Sequence, residues 1–177
     1  MIKSPTKMRR PTLSIIAAMD EKGGIGKDNR IPWHIHKDLV RLKEMTKDHL
    51  VILGRNSYDS MVGYYDKSGR PMPAKKYIVI TRNKNFKSVR NNIDAVYSIE
   101  EALDRVNKSG EKEMFVIGGE TIYKQMLEYT DRLYLTIVKG KFDCDTFFPD
   151  YSDFKKVISE EIAFDEGFSF TCKVLEK

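Results

Sequence analysis

An almost unbroken apolar run near the amino terminus constrains the fold more than any other feature. This run covers residues 12–19 (TLSIIAAM), and similar runs occur at residues 50–53 (LVIL), 77–81 (YIVIT), 114–117 (MFVI) and 132–138 (RLYLTIV). Short apolar runs rich in β-branched side chains are typical of strands that are buried on both faces of a largely parallel sheet. We therefore predict that residues 12–19 form the central strand of such a sheet.

Helical spacing and helix-start signals predict the elements between these runs. Leu39, Leu42 and Met45 recur at every third position, which predicts a helix over residues 37–47. A short helix at residues 56–61, a polar loop at 62–69 and a strand at 95–97 are expected next. Ser98 and Glu101 have the form of a capping box, which predicts a helix that runs to about residue 106.

The order of these elements predicts the fold class. Strand, helix, strand in succession implies right-handed crossovers between parallel strands. Residues 154–162 and 168–175 alternate apolar and polar positions, which indicates antiparallel strands at one sheet edge. We expect an α/β fold with a mixed, mostly parallel central sheet that is flanked by helices. A chain of 177 residues has the size of one domain.

Composition and charge exclude several classes of protein. The sequence has no apolar run near the roughly 20 residues of a membrane span, and its basic start lacks the apolar stretch of a secretion signal, so we expect a cytoplasmic protein. Its two cysteines, Cys144 and Cys172, suit neither a disulfide framework nor a zinc site; both are expected to be small core or strand residues. The net charge of +5 is scattered, which favours small anionic ligands over nucleic acid.

Two segments are predicted to lack regular structure. Residues 1–11 carry four positive charges and are expected to be a flexible, solvated extension, with an RNA-contacting arm as the alternative. Residues 12–177 would then form the folded domain. Residues 21–36 contain three glycines and a proline, a density that predicts a long irregular loop.

Asp38 is the most informative polar position. It lies four residues before Leu42 and seven before Met45, so its carboxylate shares the apolar face of the predicted helix. A carboxylate on such a face is costly unless a partner binds it. The alternative is a solvated acid that interacts favourably with the helix dipole in the first turn, and the spacing by itself favours that alternative.

Glycines and arginines at strand ends suggest a site for phosphate groups. Gly54 and Arg55, with Asn56 and Ser57, follow one buried strand and open a helix, so backbone amides and a guanidinium can hold phosphate oxygens there. Residues 117–119 (IGG) form a second such junction, and two junctions on one sheet are compatible with a dinucleotide cleft. The arginine of residues 81–82 (TR) suits a further phosphate. Each signal alone is weak, and no GxGxxG fingerprint is present.

Taken together, these residues resemble the dihydrofolate reductase family. The resemblance extends from about residue 12 to residue 177, and its motifs follow the order of the family. They are residues 25–33 (IGKDNRIPW), Asp38 five residues after Trp33, residues 54–57 (GRNS), residues 117–119 (IGG) with Tyr123, residues 132–136 (RLYLT) and residues 145–149 (DTFFP).

The resemblance implies a role for the acid. The ionised carboxylate of Asp38 would accept hydrogen bonds from the 2-amino group and ring N3 of a pterin, which would offset the cost of burying the charge. Thr136 would support the same end of the ring, and Trp33 would help to hold an ordered water. Hydride would pass from nicotinamide C4 to pterin C6. Asp38 would act on N5 protonation through electrostatics and water, because it is too far from N5 for direct transfer.

The resemblance also implies the ligands and the residues that line their sites. It implies NADPH as the cofactor and dihydrofolate as the substrate, with antifolates as inhibitors and a monomer without metal, membrane or nucleic-acid partners. The implied substrate-binding residues are Ile16, Ala17, Leu39, Leu42, Met61, Lys75, Ile117 and Tyr123. The implied cofactor-binding residues are Ala18, Ile25, Gly26, Gly54, Arg55, Asn56, Ser57, Thr81, Arg82, Gly118, Gly119, Glu120, Thr121 and Ile122. In this assignment the carbonyls of Ile16 and Ile117 face the ligands, and Thr81 and Arg82 bind the 2′-phosphate.

One departure from the family affects substrate binding. Residues 70–75 (RPMPAK) align with a stretch that ordinarily ends in Gly-Arg, whose arginine binds the α-carboxylate of the folate tail, and Lys75 stands at that position. Lysine keeps the charge and loses the two-pronged geometry. His34 and His36 flank the predicted helix start and have no close carboxylate except Asp38 in the sequence, which argues against a metal site.

Two alternatives remain open from the sequence. A reductase of the same fold that acts on another heterocycle, such as the one in riboflavin biosynthesis, is consistent with Lys75, although Asp38 after Pro-Trp argues against it. A non-catalytic nucleotide- or RNA-binding protein would use the basic surface. Loss of absorbance at the NADPH band on addition of dihydrofolate separates both from the favoured interpretation.

Overall fold

The computed structural model describes residues 10–88 and 90–177. Its strands are β1 (Thr12–Asp20), β2 (Gly24–Gly26), β3 (Leu50–Gly54), β4 (Lys76–Ile80), β5 (Ile93–Val96), β6 (Glu113–Val116), β7 (Arg132–Val138), β8 (Thr146–Phe147), β9 (Lys156–Asp165) and β10 (Phe168–Glu176). Its helices are α1 (His36–Thr46), α2 (Arg55–Ser68), α3 (Ile99–Lys108) and α4 (Glu120–Met126), followed by a 3₁₀ turn, Leu127–Tyr129.

The main sheet has the strand order β5-β4-β3-β6-β1-β7-β10-β9. Its pairs from β5 across to β7 are parallel, whereas β10 is antiparallel to both β7 and β9. Parallel strands cannot be joined by tight turns, and α1, α2, α3 and α4 lie in the crossover connections between parallel strands of this sheet. This arrangement confirms the predicted α/β fold with antiparallel strands at its carboxyl-terminal edge.

The apolar runs are strands because both faces of the sheet are covered. On one face, Leu13, Ile15 and Ala17 of β1 belong to the largest apolar cluster, while Ile16 belongs to a second cluster on the other face. Ile15 is paired in register with Val116 of β6 and Leu133 of β7, and all three are fully buried. Burial of both faces explains why β1 shows no polar alternation.

The segment predicted to be an irregular loop contains a short strand. Within residues 21–36, β2 pairs antiparallel with β8, more than a hundred residues later. The prediction of no regular structure is wrong for residues 24–26. The glycines permit this close pairing, because a Cβ on Gly24 would lie 2.6 Å from Cys144 Sγ and one on Gly26 would lie 2.7 Å from Thr146 Oγ1. The expectation that both cysteines are core or strand residues is wrong for Cys144, which is half-buried in the connection before β8, and is confirmed for Cys172, which lies in β10.

Helix α2 is longer than its sequence suggested. It continues to Ser68 and ends at Gly69, which has the left-handed φ of +64°, so the predicted polar loop at residues 62–69 is wrong. The added turns are held by Val62 and Tyr65, which pack half-buried against the second apolar cluster. The cap predicted for α3 is confirmed, because Ser98 Oγ accepts a hydrogen bond from Glu101 N at 3.1 Å.

Only the last two residues of the predicted amino-terminal extension, residues 1–11, belong to the part of the chain that the structure describes. Residues 1–9 lie outside the described residues, while the guanidinium of Arg10 donates to both carboxylate oxygens of Asp131 at 2.9 and 2.6 Å. Within residues 10–88 and 90–177, no helix has the length and apolar character to cross a membrane.

Candidate functional site

The carboxylate of Asp38 lies in the first turn of α1 and points towards the sheet. Asp38 Oδ1 accepts a hydrogen bond of 2.6 Å from Thr136 Oγ1 on β7. Burial raises the pKa of Asp38 above its ordinary value, and the Thr136 hydrogen bond and the charge of Arg41 partly oppose that rise. The predicted pair of Asp38 and Thr136 is therefore brought together, in surroundings where a carboxylate needs binding partners.

The strand register places small side chains around this acid. Ala18 of β1 and Cys172 of β10 are the direct neighbours of Thr136 in the sheet. Trp33, just before α1, is buried in a cluster that includes Ala18 and Cys172, and its ring meets Phe142 edge-on with centroids 5.1 Å apart. Packing thus fixes the indole beside the sheet positions that flank Thr136; the ordered water that the resemblance assigns to Trp33 stays a prediction.

Four of the residues predicted to line the substrate site share one apolar cluster. Ile16 is buried in this second cluster, and Leu42, Met61 and Ile117 pack half-buried against it. They come from β1, α1, α2 and the end of β6, which explains why sequence separation gave no sign of their contact. Leu39 is half-buried one residue after Asp38. Ala17 faces the opposite side of the sheet, in the largest cluster.

The two glycine junctions meet in the fold. Gly54 N donates to the carbonyl of Gly118 at 2.8 Å. Gly118 has a φ of +133°, and a Cβ on it would lie 3.1 Å from Ser57 Oγ and 3.5 Å from the Tyr123 hydroxyl. A side chain is therefore disfavoured there by both backbone conformation and space. The peptide bond between Gly118 and Gly119 is cis.

The start of α2 offers free backbone donors beside these glycines. Its N-cap is Gly54, which has no side chain to cap the first amides, and its first turn contains no acidic residue. Arg55 is held in place, because its Nε donates to Asp59 Oδ2 at 2.7 Å and its guanidinium lies 4.2 Å from the centre of the Phe86 ring. A helix start with uncapped amides and a cation suits an anionic group.

The other predicted cofactor-binding residues lie after β4, in β2, or in the first turns of α2 and α4. Thr81 is buried directly after β4, with its Oγ1 accepting from Asn83 N, and Arg82 is exposed beside it. Asn56 is exposed on α2; Ile25 and Gly26 lie in β2. At the start of α4, Glu120 and Thr121 are exposed and Ile122 is buried.

Tyr123 links the glycine junction to the central strand. Its hydroxyl donates to the carbonyl of Ile16 at 2.8 Å. Burial, together with the nearby charge of Asp38, raises the pKa of Tyr123 above its ordinary value. The carbonyl of Ile16, predicted to face a ligand, therefore already accepts one hydrogen bond within the protein.

Several contacts of the glycine-rich loop could not be predicted from sequence. Asp145 Oδ2 accepts from Asp28 N at 3.0 Å, and Asp145 N donates to the carbonyl of Gly26 at 2.9 Å. Asp20, buried at the end of β1, accepts from the amides of Lys22, Gly24 and Phe142. These bonds fix the loop against residues 142–148, and the acidic side chains were their only sequence signal.

Lys75 and His34 each have a carboxylate neighbour that the sequence did not suggest. Lys75 Nζ donates to Glu111 Oε1 at 2.8 Å, so this ammonium group is already paired. His34 Nε2 lies 3.7 Å from Glu166 Oε2, which corrects the expectation that Asp38 is the only carboxylate close to the histidines. Among the described residues, no group of three or more His, Cys, Asp or Glu side chains is placed to hold a metal ion.

One protein family matches nearly the whole chain. The family model described as dihydrofolate reductase matches residues 12–177. The chain belongs to the dihydrofolate reductase family. Dihydrofolate reductases from Staphylococcus haemolyticus and Bacillus subtilis (strain 168) are 40% and 39% identical to it over 156 residues. These matches cover 87% of this chain in both cases, and 87% and 86% of the respective relatives.

A solved dihydrofolate reductase has the same fold. The enzyme from Enterococcus faecalis, complexed with NADP(H) and RAB-propyl, superposes with a TM-score of 0.80 and 29% sequence identity. The match covers 94% of this chain and 96% of that chain. The resemblance to the dihydrofolate reductase family that the motifs indicated is therefore confirmed over residues 12–177.

Proposed function

We propose that this chain reduces 7,8-dihydrofolate to 5,6,7,8-tetrahydrofolate with NADPH. The observation that carries the proposal is the half-buried carboxylate of Asp38, which accepts a hydrogen bond of 2.6 Å from Thr136 of β7, in a chain of the dihydrofolate reductase family. An acceptor pair in an apolar pocket suits the adjacent N–H donors of a 2-aminopyrimidine edge.

The residues at the glycine junctions fit a dinucleotide. Side chains at Gly118 and Gly119 would crowd Ser57, and the start of α2 presents uncapped amides next to Arg55. We propose that Arg55, Ser57 and Gly119 hold the pyrophosphate and that Thr81 and Arg82 hold the adenosine 2′-phosphate, which is the group that distinguishes NADPH from NADH. The Enterococcus faecalis relative was solved with NADP(H), which supports this choice. When bound, the cofactor supplies the hydride.

The protein residues orient the pterin and supply the field for its protonation. Asp38 would bind the amino-pyrimidine edge, while Ile16, Leu42, Met61 and Ile117 would cover the rings and exclude water. A carboxylate in an apolar pocket favours positive charge that develops on the pterin when N5 is protonated. Because Asp38 is held to Thr136, its orientation does not have to be set when the substrate binds.

The assay is loss of absorbance at the NADPH band when dihydrofolate is added to the purified protein. Rapid oxidation of NADPH with dihydrofolate, and much slower oxidation of NADH, is the expected result. Absence of turnover with dihydrofolate in a folded preparation would refute the proposal. The same assay with a pterin that lacks the glutamate tail shows whether the tail contributes to substrate binding. A cytoplasmic location is also proposed, and cell fractionation tests it.

A further inference from the structure

Arg41 lies on the same side of α1 as the acid. It follows Asp38 by three residues, which places it about 60° around the helix, and its side chain is half-buried. Its Nη1 donates to Thr136 Oγ1 at 3.1 Å, and Thr136 Oγ1 donates in turn to Asp38 Oδ1 at 2.6 Å. The three side chains therefore form a continuous chain of hydrogen bonds.

The direction of this chain is set by Arg41. A guanidinium can only donate, so the hydroxyl of Thr136 must use an oxygen lone pair for Arg41, and its one hydrogen is left for Asp38. Asp38 Oδ1 is then an obligatory acceptor. An ionised carboxylate meets that requirement with both oxygens, which leaves Oδ2 to accept from a ligand.

Three other titratable groups stand on the elements around the Asp38 site, and none of these three carries a positive charge. Cys172 of β10 lies beside Thr136, and its pKa is raised by burial, so the thiol is uncharged at neutral pH. Tyr123 from α4 is a buried phenol whose pKa is also raised by burial. Glu161 of β9, paired in register with Cys172, is exposed and negative. The Thr136 hydrogen bond and the charge of Arg41 are thus the two interactions that oppose the effect of burial on Asp38.

We propose that Arg41 is a positioning residue for the proposed reductase reaction, one that orients the Asp38 carboxylate through Thr136 and keeps it ionised in its buried site. This proposal rests on the proposed function. Without Arg41, the acid would take up a proton at higher pH, and a protonated carboxyl presents a donor where the amino-pyrimidine edge needs an acceptor. Substrate binding would then weaken at acid pH.

The test is a ¹³C NMR titration of the Asp38 side-chain carboxyl in the full chain, with Asp38→Asn to assign the resonance. Arg41→Met removes the charge and the donor, Arg41→Gln removes the charge but keeps an amide donor, and Arg41→Lys keeps the charge. Lys43→Met is the matched control, because it removes a positive charge from an exposed position of the same helix, about 140° away from Asp38 around the axis.

The expected result is a pKa of Asp38 that rises by about 0.5 to 1 unit in Arg41→Met and Arg41→Gln, the size of a partly screened neighbouring charge. It should change little in Arg41→Lys and Lys43→Met. The KM for dihydrofolate should rise as the pH falls, and this rise should begin at a higher pH in Arg41→Met and Arg41→Gln than in the wild type. The dissociation constant of NADPH should be unchanged in both variants. An Asp38 titration in folded Arg41→Met or Arg41→Gln that matches the wild type would overturn the proposal.

The two proposals fail in different ways. The NMR titration requires no substrate, so absence of dihydrofolate reduction by the wild-type protein would refute the proposed function without altering the Asp38 titration. An unshifted titration in protein that still reduces dihydrofolate would refute the role of Arg41 alone. A shifted pKa with an unchanged pH dependence of KM would also count against it, because the carboxylate would then not need to be ionised for binding.

Discussion

Replacement of Asp38 by asparagine should separate activity from stability. The carboxylate accepts from Thr136 with one oxygen, and in the proposed complex it also accepts from the amino group and ring N3 of the pterin. Asparagine keeps one carbonyl oxygen but presents an NH₂ group in place of the second oxygen. It therefore loses the charge and opposes one of the two pterin donors with another donor.

The size of the loss follows from those contacts. Hydrogen bonds to a charged group contribute about 1.5–3 kcal/mol each, so two of them correspond to about 3–6 kcal/mol and to a loss of roughly 10²–10⁴-fold in kcat/KM. The loss should be milder at acid pH, where more of the substrate is already protonated. Binding of NADPH should persist, because its proposed phosphate contacts lie at the glycine junctions.

Asp38→Asn should lower activity, but it should leave the stability of the fold at neutral pH unchanged or raise it. Burial raises the pKa of Asp38 above the value expected in the unfolded chain, so the ionised acid destabilises the fold at neutral pH, and that cost disappears as the pH falls through the raised pKa. Asp38→Asn should therefore unfold at the same temperature as the wild type or a higher one at neutral pH. The difference in unfolding temperature between Asp38→Asn and the wild type should narrow under acid conditions.

The measurements are steady-state NADPH oxidation and thermal unfolding by circular dichroism, each over a range of pH. Glu44→Gln is the matched control, because it neutralises an exposed acid on the same helix and should leave both activity and stability nearly unchanged. Wild-type turnover of Asp38→Asn at neutral pH would refute the role assigned to this carboxylate. A large fall in its melting temperature would refute the stability argument.

Three further substitutions test other parts of the site. Lys75→Arg should lower the KM for dihydrofolate by about 5–30-fold, equivalent to about 1–2 kcal/mol, because a guanidinium binds a carboxylate with two prongs; an unchanged or higher KM contradicts this. Gly118→Ala should weaken NADPH binding at least about tenfold, since a strained φ costs about 1–3 kcal/mol and its Cβ would crowd Ser57. Gly63→Ala, in open space on α2, is its control and should bind NADPH normally, as titration by fluorescence would show. Burial alone would raise the pKa of Asp20, but three backbone amides together lower it. The ionised Asp20 therefore stabilises the fold at pH values above its pKa in the unfolded chain. This stabilisation is lost as the pH falls through its pKa in the folded protein. The melting temperature of Asp20→Asn should therefore lie below that of wild type at neutral pH and approach it in acid; parallel curves would contradict this.

The strands were predictable because their signal is local. Each apolar run of the sequence became a buried strand, since burial on both faces requires nothing more than a continuous set of aliphatic side chains. The short strand β2 was not predictable, because its glycines pair with residues more than a hundred positions away. The length of α2 was misjudged for a similar reason, since its second half is held by contacts with the rest of the core.

The site was predictable to the extent that its residues stand in family motifs. The spacing of Asp38 by itself favoured a solvated acid in the first turn of the helix. The family motifs around it changed that interpretation to a ligand-binding carboxylate. Arg41 had a local signal, because its three-residue separation from Asp38 places both on one helix face. Its connection through Thr136 had none, because Thr136 is 95 residues further along the chain. The pairing of Lys75 with Glu111 depends in the same way on contacts between distant loops.

The central strand explains how the two halves of the site hold a fixed relation. Ile16 of β1 accepts from Tyr123, which stands on the helix that begins after the glycine pair, and Ala18 of β1 lies beside Thr136, which bonds to Asp38. These two positions are separated by two residues of extended chain, or about 6.6 Å. The proposed nicotinamide and pterin sites are therefore positioned by one rigid buried strand, so that transfer distance does not depend on the loops.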